Sequence, residues 1–262
     1  MSEQRASREE QLRAHVEDAP TIPLDEFKRR SRRSFLMGAV GIAGAYAGWR
    51  WLQDQPDVGG IPKPLRDQLE RNETLWSNLS EGRSAPEFSV SKATPIQVNG
   101  RIGIRNEIDL AAWTVRVEGP DGELLDELDI SAFDALPQRD MVIEHKGIEG
   151  WSNITHWGGA RVSDFHARYA DQVGDVPYVG FETPDGLYYV GWDRPSAMHP
   201  QTMLAMRLDD EPLDLDHGAP LRLATPNKYG IKCLKRIGVV RYARERPADY
   251  WAERSHDWYA GL

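Results

Sequence analysis

Alternating apolar and polar positions in the middle of the chain predict β-strands. Trp113, Val115 and Val117 alternate with polar residues ahead of a Pro-Asp-Gly turn at 120–122, a pattern typical of a β-hairpin. Similar runs bounded by turn residues predict further strands at 141–145, 177–183 and 187–192 and in the segment PLRLATP at 220–226. This part of the chain is therefore expected to be mainly sheet.

Helical periodicity after residue 53 is limited to three segments. The first, KPLRDQLERNETLWSNL at 63–79, has Pro64 in its first turn and an imperfect stripe of leucines. Two shorter helices are predicted in RVSDFHARYADQ at 161–172 and in PQTMLAMRL at 200–208. Because strands outnumber helices and no internal repeat is present, the expected fold class is α+β, with mixed sheets and few short helices.

Composition divides the chain into three regions. Residues 1–52 combine a polar leader with an apolar segment, residues 53–93 are punctuated by prolines and are expected to form a wrapping arm, and residues 94–262 form the predicted domain. The formal net charge of −9 over 262 residues argues against a nucleic-acid partner. Cys233 is the only cysteine, so the chain forms no internal disulfide.

The first region has the pattern of a bacterial export signal. Arg32 and Arg33 stand within a basic cluster, between Ser31 and the sequence Ser-Phe-Leu, and an apolar run follows from Phe35 to Ala47. This pattern predicts export of the folded protein by the twin-arginine route to the periplasm. The alternative is a retained membrane anchor through residues 35–52, although thirteen apolar residues fall short of the ~20 that span a bilayer. Whether the leader is cleaved stays open.

Motifs for most common enzyme chemistries are missing. The chain contains no GxxxxGK[ST] loop, no GxGxxG after a strand, no CxxC pair and no HExxH helix. Five histidines lack metal-like spacing and are expected to be surface or core residues: His145, His156, His166, His199 and His256.

A basic cluster near the C-terminal end, HGAPLRLATPNKYGIKCLKRIG at 217–238, stands out in an acidic chain. Its guanidinium and ammonium groups suit an anion such as a phosphate, and its glycines allow the backbone to approach a ligand closely. The alternative is an edge strand that is kept soluble by its lysines.

The order of four segments carries a family resemblance. IEGWSNITHWGG, YVGFETPDGLYYVG, the stretch from MLAMRL to KYGIKCLKRIG, and YWAERSHDWYAGL together resemble the sulfite-oxidase-type family of molybdopterin-dependent oxidoreductases. The resemblance implies the sulfite-oxidase-type molybdopterin-binding fold over residues 94–262 and oxygen-atom transfer with molybdopterin as cofactor. It also implies a heme-containing or membrane quinone-linked redox partner. A twin-arginine leader agrees with a cofactor that is inserted before export.

The resemblance also implies which residues bind the cofactor. His217 and Arg222 would contact the pterin and its phosphate. Backbone amides of the segment 233–235 would add to them, with Lys235 as a charged clamp. The full set of implied cofactor-binding residues is Asn99, Thr183, His217, Arg222, Lys232, Cys233, Leu234 and Lys235.

One position departs from the family pattern. The family loop has the form C-[VI]-E-G-W-S, in which the cysteine thiolate binds molybdenum, and the matching residue in this chain is Gly147. Catalysis is therefore expected to be impaired and the molybdopterin content substoichiometric. The alternative is a non-catalytic, exported descendant of the same fold that binds the cofactor or another anion, or acts as a scaffold.

Overall fold

The computed structural model of the chain describes residues 23–80 and 83–262, which divide into two compact units with a boundary between Gln55 and Pro56. The described part of the first unit is one helix, α1 (Leu24–Gln53), which has acidic Asp25 and Glu26 in its first turn and no buried side chain. None of the described helices combines the length and the apolar character that a membrane span requires.

The second unit is built mainly from strands. In chain order they are β1 (Asp57–Val58), β2 (Ile61–Pro62), β3 (Val115–Glu118), β4 (Leu124–Leu128), β5 (Gln138–Lys146), β6 (Ser152–Arg161), β7 (Tyr178–Glu182), β8 (Tyr189–Asp193), β9 (Met203–Leu208), β10 (Glu211–Pro212), β11 (Arg222–Ala224) and β12 (Val239–Ala243).

The helices of this unit are short apart from the first. They are α2 (Lys63–Ser80), α3 (Ile130–Asp134), α4 (Val162–His166), α5 (Ala170–Val173) and α6 (Arg194–Ala197), with 3₁₀ turns at Val90–Lys92, Gly230–Lys232 and Ala252–Arg254.

Two five-stranded sheets form the body of the unit. The first has the order β10-β9-β6-β5, with β11 also paired to β9, and every pairing in it is antiparallel. The second has the order β4-β3-β12-β7-β8, in which β12 runs parallel to β3 and the other pairings are antiparallel. Mixed sheets with few helices confirm the predicted α+β class.

Most of the predicted elements are present. The hairpin around residue 121, the strands near 141, 178, 189 and 222, and the long helix at 63–80 are confirmed. The helix predicted for PQTMLAMRL is wrong, because residues 203–208 form strand β9. Residues 203–206 are all buried, and alternate side chains pack into two different apolar clusters. A strand buried on both faces has no polar alternation, so its pattern resembles a short buried helix.

The segment that precedes the predicted domain packs within the same unit. Arg66 on α2 is buried and donates from Nη2 to Ala252 O at 2.7 Å and from Nη1 to His256 O at 2.8 Å. Further along, Glu87 forms a bridge with Ile143 on β5. The predicted boundary at residue 94 stays a prediction, since residues on both of its sides belong to one unit.

A buried ion pair lies between the 3₁₀ turn at 230–232 and the C-terminal region. Lys232 is fully buried, and its Nζ lies 2.5 Å from Asp249 Oδ2 and 2.9 Å from Gly191 O. The ring of Trp258 lies 4.7 Å from the same ammonium group. Burial is the main cause that lowers the pKa of Lys232, and Asp249 opposes it. Each charge of the pair therefore depends on the other for compensation.

We expect Lys232→Met to destabilise the protein by about 3–5 kcal/mol, because it leaves the Asp249 carboxylate buried without its cation. The double variant Lys232→Met/Asp249→Leu should recover much of this loss. Urea denaturation of cofactor-free protein measures both. Lys63→Met is the control, since the Lys63–Asp67 pair is exposed and should contribute less than about 1 kcal/mol. A loss no larger than that of Lys63→Met would contradict the structural role of the pair.

Candidate functional site

One cavity gathers most of the residues with unusual chemistry. It encloses about 790 Å³ when the open solvent at its mouth is included. Four parts of the chain contribute most of its lining: residues 96–102, the end of β5 with the loop at 147–151, residues 217–222, and residues 230–235.

Arg222, the first residue of β11, is the central cation of the cavity. It is 3% exposed and donates to three backbone carbonyls: from Nη1 to His217 O at 2.9 Å, from Nε to Leu223 O at 3.3 Å and from Nη2 to Cys233 O at 3.4 Å. A guanidinium carries five N–H donors, so two have no described acceptor. Burial lowers the pKa of Arg222 to about 10, which leaves it charged at neutral pH. A buried cation with free donors is suited to an anionic ligand.

Lys235 closes one side of the cavity. Its Nζ donates to the carbonyls of Asn99 at 2.9 Å, Gly100 at 3.1 Å and Asp216 at 2.8 Å. These contacts engage all three ammonium donors, so Lys235 fixes the 99–100 turn against the segment before Arg222. Burial, followed by the nearby Arg222, lowers the pKa of Lys235 to about 8.

His217 presents an unpartnered nitrogen in the same cavity. Its Nδ1 lies 2.8 and 2.9 Å from the two carboxylate oxygens of Asp214, which fixes the orientation of the ring. Its Nε2 is buried and has no hydrogen-bond partner among the described residues. A carboxylate behind one ring nitrogen is typical of imidazoles that bind a ligand or metal through the other.

Gly147, directly after β5, lies beneath an aromatic ring. A Cβ built on Gly147 would lie 2.2 Å from Cε2 and 2.3 Å from Nε1 of Trp151. The turn brings the two residues together, since Gly147 N donates to Trp151 O at 2.9 Å. The indole is further held by Glu149, which accepts from its Nε1 at 3.0 Å. The ring therefore occupies the space that any side chain at residue 147 would need.

His145 is a cavity residue that the sequence patterns did not reveal. It lies two residues before Gly147 on β5, and alternate residues of a strand point to the same face. His145 is 4% exposed, lines the cavity, and has no hydrogen-bond partner among the described residues. Burial, followed by Arg222 and Lys235, lowers its pKa to about 3, so the imidazole is neutral at physiological pH. The signal in the sequence that could have identified His145 was its spacing of two residues from Gly147.

The structure brings five of the eight predicted cofactor-binding residues to this cavity: Asn99, His217, Arg222, Cys233 and Lys235. The thiol of Cys233 is buried, and burial raises its pKa to about 11, so it is protonated at neutral pH. The amides of the segment are already used in part, because Cys233 N donates to Gly230 O and Leu234 N donates to Lys232 O, both at 3.0 Å.

Three predicted residues do not line the cavity. Lys232 points to Asp249 instead, and Leu234 is a fully buried member of the apolar core. Thr183 Oγ1 donates to Asp185 Oδ1 at 2.7 Å. Trp157 is fully buried, and its ring lies 4.6 Å from the Arg222 guanidinium.

The family model for an oxidoreductase molybdopterin-binding domain matches residues 102–251, more than half of the chain. The chain belongs to this family. The resemblance to sulfite-oxidase-type proteins is thereby confirmed, and molybdopterin is the cofactor of this domain.

Curated relatives of this molybdopterin-binding domain carry related names. The chain is 31% identical over 263 residues to the protein-methionine-sulfoxide reductase catalytic subunit MsrP of Xanthomonas axonopodis pv. citri, a match that covers 89% of this chain and 78% of that protein. It is 33% identical over 180 residues to an Azospira oryzae protein provisionally named protein-methionine-sulfoxide reductase subunit YedZ1, a match that covers 67% of this chain and 66% of that protein. The chain thus spans just under two thirds of this second relative.

Among solved structures, the chain is similar to the sulfane dehydrogenase SoxCD from Paracoccus pantotrophus. The TM-score is 0.48 and the identity 15%, with 54% of this chain and 40% of that chain covered.

The residues of the cavity fit molybdopterin at its anionic end. Arg222 keeps two N–H donors without described acceptors, and His217 Nε2 is a buried polar atom that lacks a partner. The end of the cavity around Gly147 has uncharged rings instead of cations. The neutral imidazole of His145 and the indole of Trp151 lie there beside a residue without a side chain.

We expect Gly147→Cys to destabilise the protein by about 1–3 kcal/mol, because the new side chain overlaps the Trp151 ring and must displace it. Thermal denaturation measures the loss. In a Trp151→Ala background the same substitution should cost much less. Gly48→Cys serves as the control, since nothing lies within 4 Å of a Cβ at that position. Equal losses at residue 147 with and without the indole would show that Trp151 is not the obstacle.

Proposed function

We propose that the chain is an exported, molybdopterin-dependent oxidoreductase of the sulfite-oxidase type whose turnover is impaired. The observation that carries this proposal is the asymmetry of the cavity. One end has cationic and imidazole groups for the cofactor, while Gly147 has no side chain and lies under Trp151. The resemblance implies that Gly147 matches the metal-binding cysteine of the family.

The residues of this chain would share the binding of the cofactor. Arg222 would donate its two free N–H groups to the phosphate, and each charge-assisted hydrogen bond contributes roughly 1.5–3 kcal/mol. His217 would add a contact through Nε2, held in place by Asp214. Lys235 would keep the 99–100 turn and the 217–222 segment in position. His145 would contact the end of the cofactor that lies near Gly147, and it would do so as a neutral group.

When bound, molybdopterin supplies the metal centre at which an oxygen atom is transferred. The names of the relatives point to sulfoxides as the substrate class. Reduction of a sulfoxide to a thioether releases the oxygen as water and consumes two electrons and two protons. We propose that a heme-containing or membrane quinone-linked partner delivers the electrons.

The N-terminal region supports a periplasmic location. Arg32 and Arg33 precede an apolar run on α1 whose large side chains are exposed, as in Phe35 at 77% and Ile42 at 74%. We propose that the twin-arginine route exports the chain and that residues 35–52 can hold it at the membrane surface.

A second function is favoured by the position of Trp151. Because the indole fills the space at residue 147, the chain could retain molybdopterin or another anion without catalysis and serve as an exported binding protein or scaffold. Cofactor content and turnover of the same sample separate the two functions.

We expect the chain, expressed in a host that makes the molybdenum cofactor, to contain molybdopterin in substoichiometric amount and to have weak sulfoxide reductase activity. Released pterin is measured by fluorescence, and molybdenum by mass spectrometry. Arg222→Gln should weaken retention of the pterin by at least about a hundredfold, because two charge-assisted contacts are lost. Arg246→Gln, which removes a cation beside Trp258 and Glu73, is the matched control. Full activity of the unchanged chain would refute the impairment, and absence of pterin would refute cofactor binding.

We expect replacement of Arg32 and Arg33 by lysine to retain the protein in the cytoplasm, because the twin-arginine pair is then missing while the charge is unchanged. Immunoblots of periplasmic and cytoplasmic fractions measure the distribution. Arg29→Lys/Arg30→Lys in the same basic cluster is the control. Periplasmic protein at the unchanged level in the Arg32 and Arg33 variant would contradict this route.

A further inference from the structure

A second group of possible ligands lies outside the cavity, on the sheet that contains β5, β6 and β9. It consists of Asp140 on β5, His156 on β6 and Asp210 in the turn between β9 and β10. One donor atom from each residue lies within 4.8 Å of the other two. These residues are far apart in sequence, so their proximity is a product of the sheet.

The pairing of the strands explains how the group forms. Val142 is the partner of His156 and Gly158 is the partner of Asp140, so Asp140 and His156 are diagonal neighbours on one face of the sheet. The backbone N of Asp209 donates to the carbonyl of His156 at 3.0 Å, which places the turn with Asp210 beside the imidazole.

The imidazole of His156 is buried and has no hydrogen bond to another residue in the described part of the chain. His156 is 5% exposed, and its Nε2 lies 3.8 Å from Asp140 Oδ1 and 3.9 Å from Asp210 Oδ1. Both separations are too long for hydrogen bonds. Two carboxylates thus converge on the Nε2 of a buried residue without hydrogen-bonding to it, and the space between them suits a cation.

The spacing of the three donor atoms matches a metal ion better than a hydrogen-bond network. Zn²⁺ binds imidazole nitrogen and carboxylate oxygen at about 2.0–2.2 Å, which places two donors of a tetrahedral site about 3.4 Å apart. The two separations from His156 Nε2 need to shorten by about half an ångström each. The separation between the two carboxylates is within 4.8 Å, so the exposed Asp210 has the largest movement to make. One nitrogen and two oxygen donors suit a divalent transition metal, with water in the remaining position.

One neighbouring cation competes for the same carboxylate. Arg207 Nη2 lies 3.2 Å from Asp140 Oδ1, and Gly158 makes room for this guanidinium, since a Cβ there would lie 2.6 Å from Nη2. Arg207 contacts only one of the two carboxylates among the described residues and lies on the neighbouring strand. It therefore accounts for the position of Asp140 but for neither Asp210 nor the unpartnered imidazole.

We propose that Asp140, His156 and Asp210 form a binding site for a divalent transition-metal ion that ties β5 and β6 to the β9–β10 turn. The site is independent of the molybdopterin cavity, because none of its three residues lines that cavity. Its role is structural, since it links three neighbouring parts of one sheet at the surface.

The test uses Zn²⁺ with the purified full-length protein after treatment with a chelator. Affinity and stoichiometry are measured by isothermal titration calorimetry, and the shift of the melting temperature by thermal denaturation with and without Zn²⁺. We expect His156→Ala and Asp210→Asn each to weaken binding of one Zn²⁺ by at least about tenfold, since loss of groups that merely support ligands already costs about 10–100-fold. The Zn²⁺-dependent rise in melting temperature should disappear in the same variants.

Two controls separate this site from other zinc-binding groups. His199→Ala and His256→Ala each remove an imidazole that belongs to neither site, and both should retain the affinity of the unchanged protein. Asp210 is exposed, so Asp210→Asn keeps the test valid if His156→Ala does not fold. Equal Zn²⁺ affinity in the unchanged protein and in Asp210→Asn, or no binding to the unchanged protein at micromolar Zn²⁺, would overturn the proposal.

Discussion

The buried guanidinium of Arg222 holds together the segments that form the molybdopterin cavity. It joins β11 to the carbonyls of His217 and Cys233, and it packs on the face of Trp157. No carboxylate forms an ion pair with it in the described parts of the chain, so its charge is compensated by carbonyl dipoles, the aromatic face and the more distant Asp214 carboxylate. Burying a charge in this way is costly without a counter-ion. An anion bound at this position would lower that cost, which makes the empty protein less stable than the loaded one.

The two ends of the cavity obey different physical constraints. At the Arg222 end, ligand binding depends on charge and therefore tolerates variation in the shape of the ligand. This binding is maintained as long as the carbonyl acceptors hold the guanidinium in place. The end at Gly147 depends on shape, because the ring of Trp151 fills the space at this residue. Under the proposed function, affinity for the cofactor would depend on the Arg222 end and turnover on the Gly147 end, so the two would be lost separately.

Whether the sequence predicts a feature of the structure depends on how far apart along the chain the interacting residues lie. Alternation of apolar residues revealed the strands around residues 115, 142, 179 and 190, because one face of each contacts the core and the pattern is local. The pattern failed for β9, which is buried on both faces.

The sequence pattern also could not show that Lys232 and Lys235, two lysines three residues apart, have different roles. The 3₁₀ turn at 230–232 directs the first to Asp249 in the interior and leaves the second to close the cavity. The grouping of Asp140, His156 and Asp210 depends on strand register, which spacing along the chain does not contain.

Gly147 and Trp151 must be considered as a pair. The tight turn between them requires Gly150 at φ +87°, a conformation that residues with side chains rarely adopt, and it returns the indole onto the Cα of residue 147. A side chain at residue 147 and this position of the ring exclude each other, since the atoms would overlap at 2.2 Å. The glycine allows an aromatic wall to form at one end of the cavity. Introducing a thiolate at residue 147 requires the indole to move, and with it the hydrogen bond from Trp151 to Glu149. The shape of this end is thus determined jointly by two residues, and the Trp151 ring opposes any side chain at residue 147.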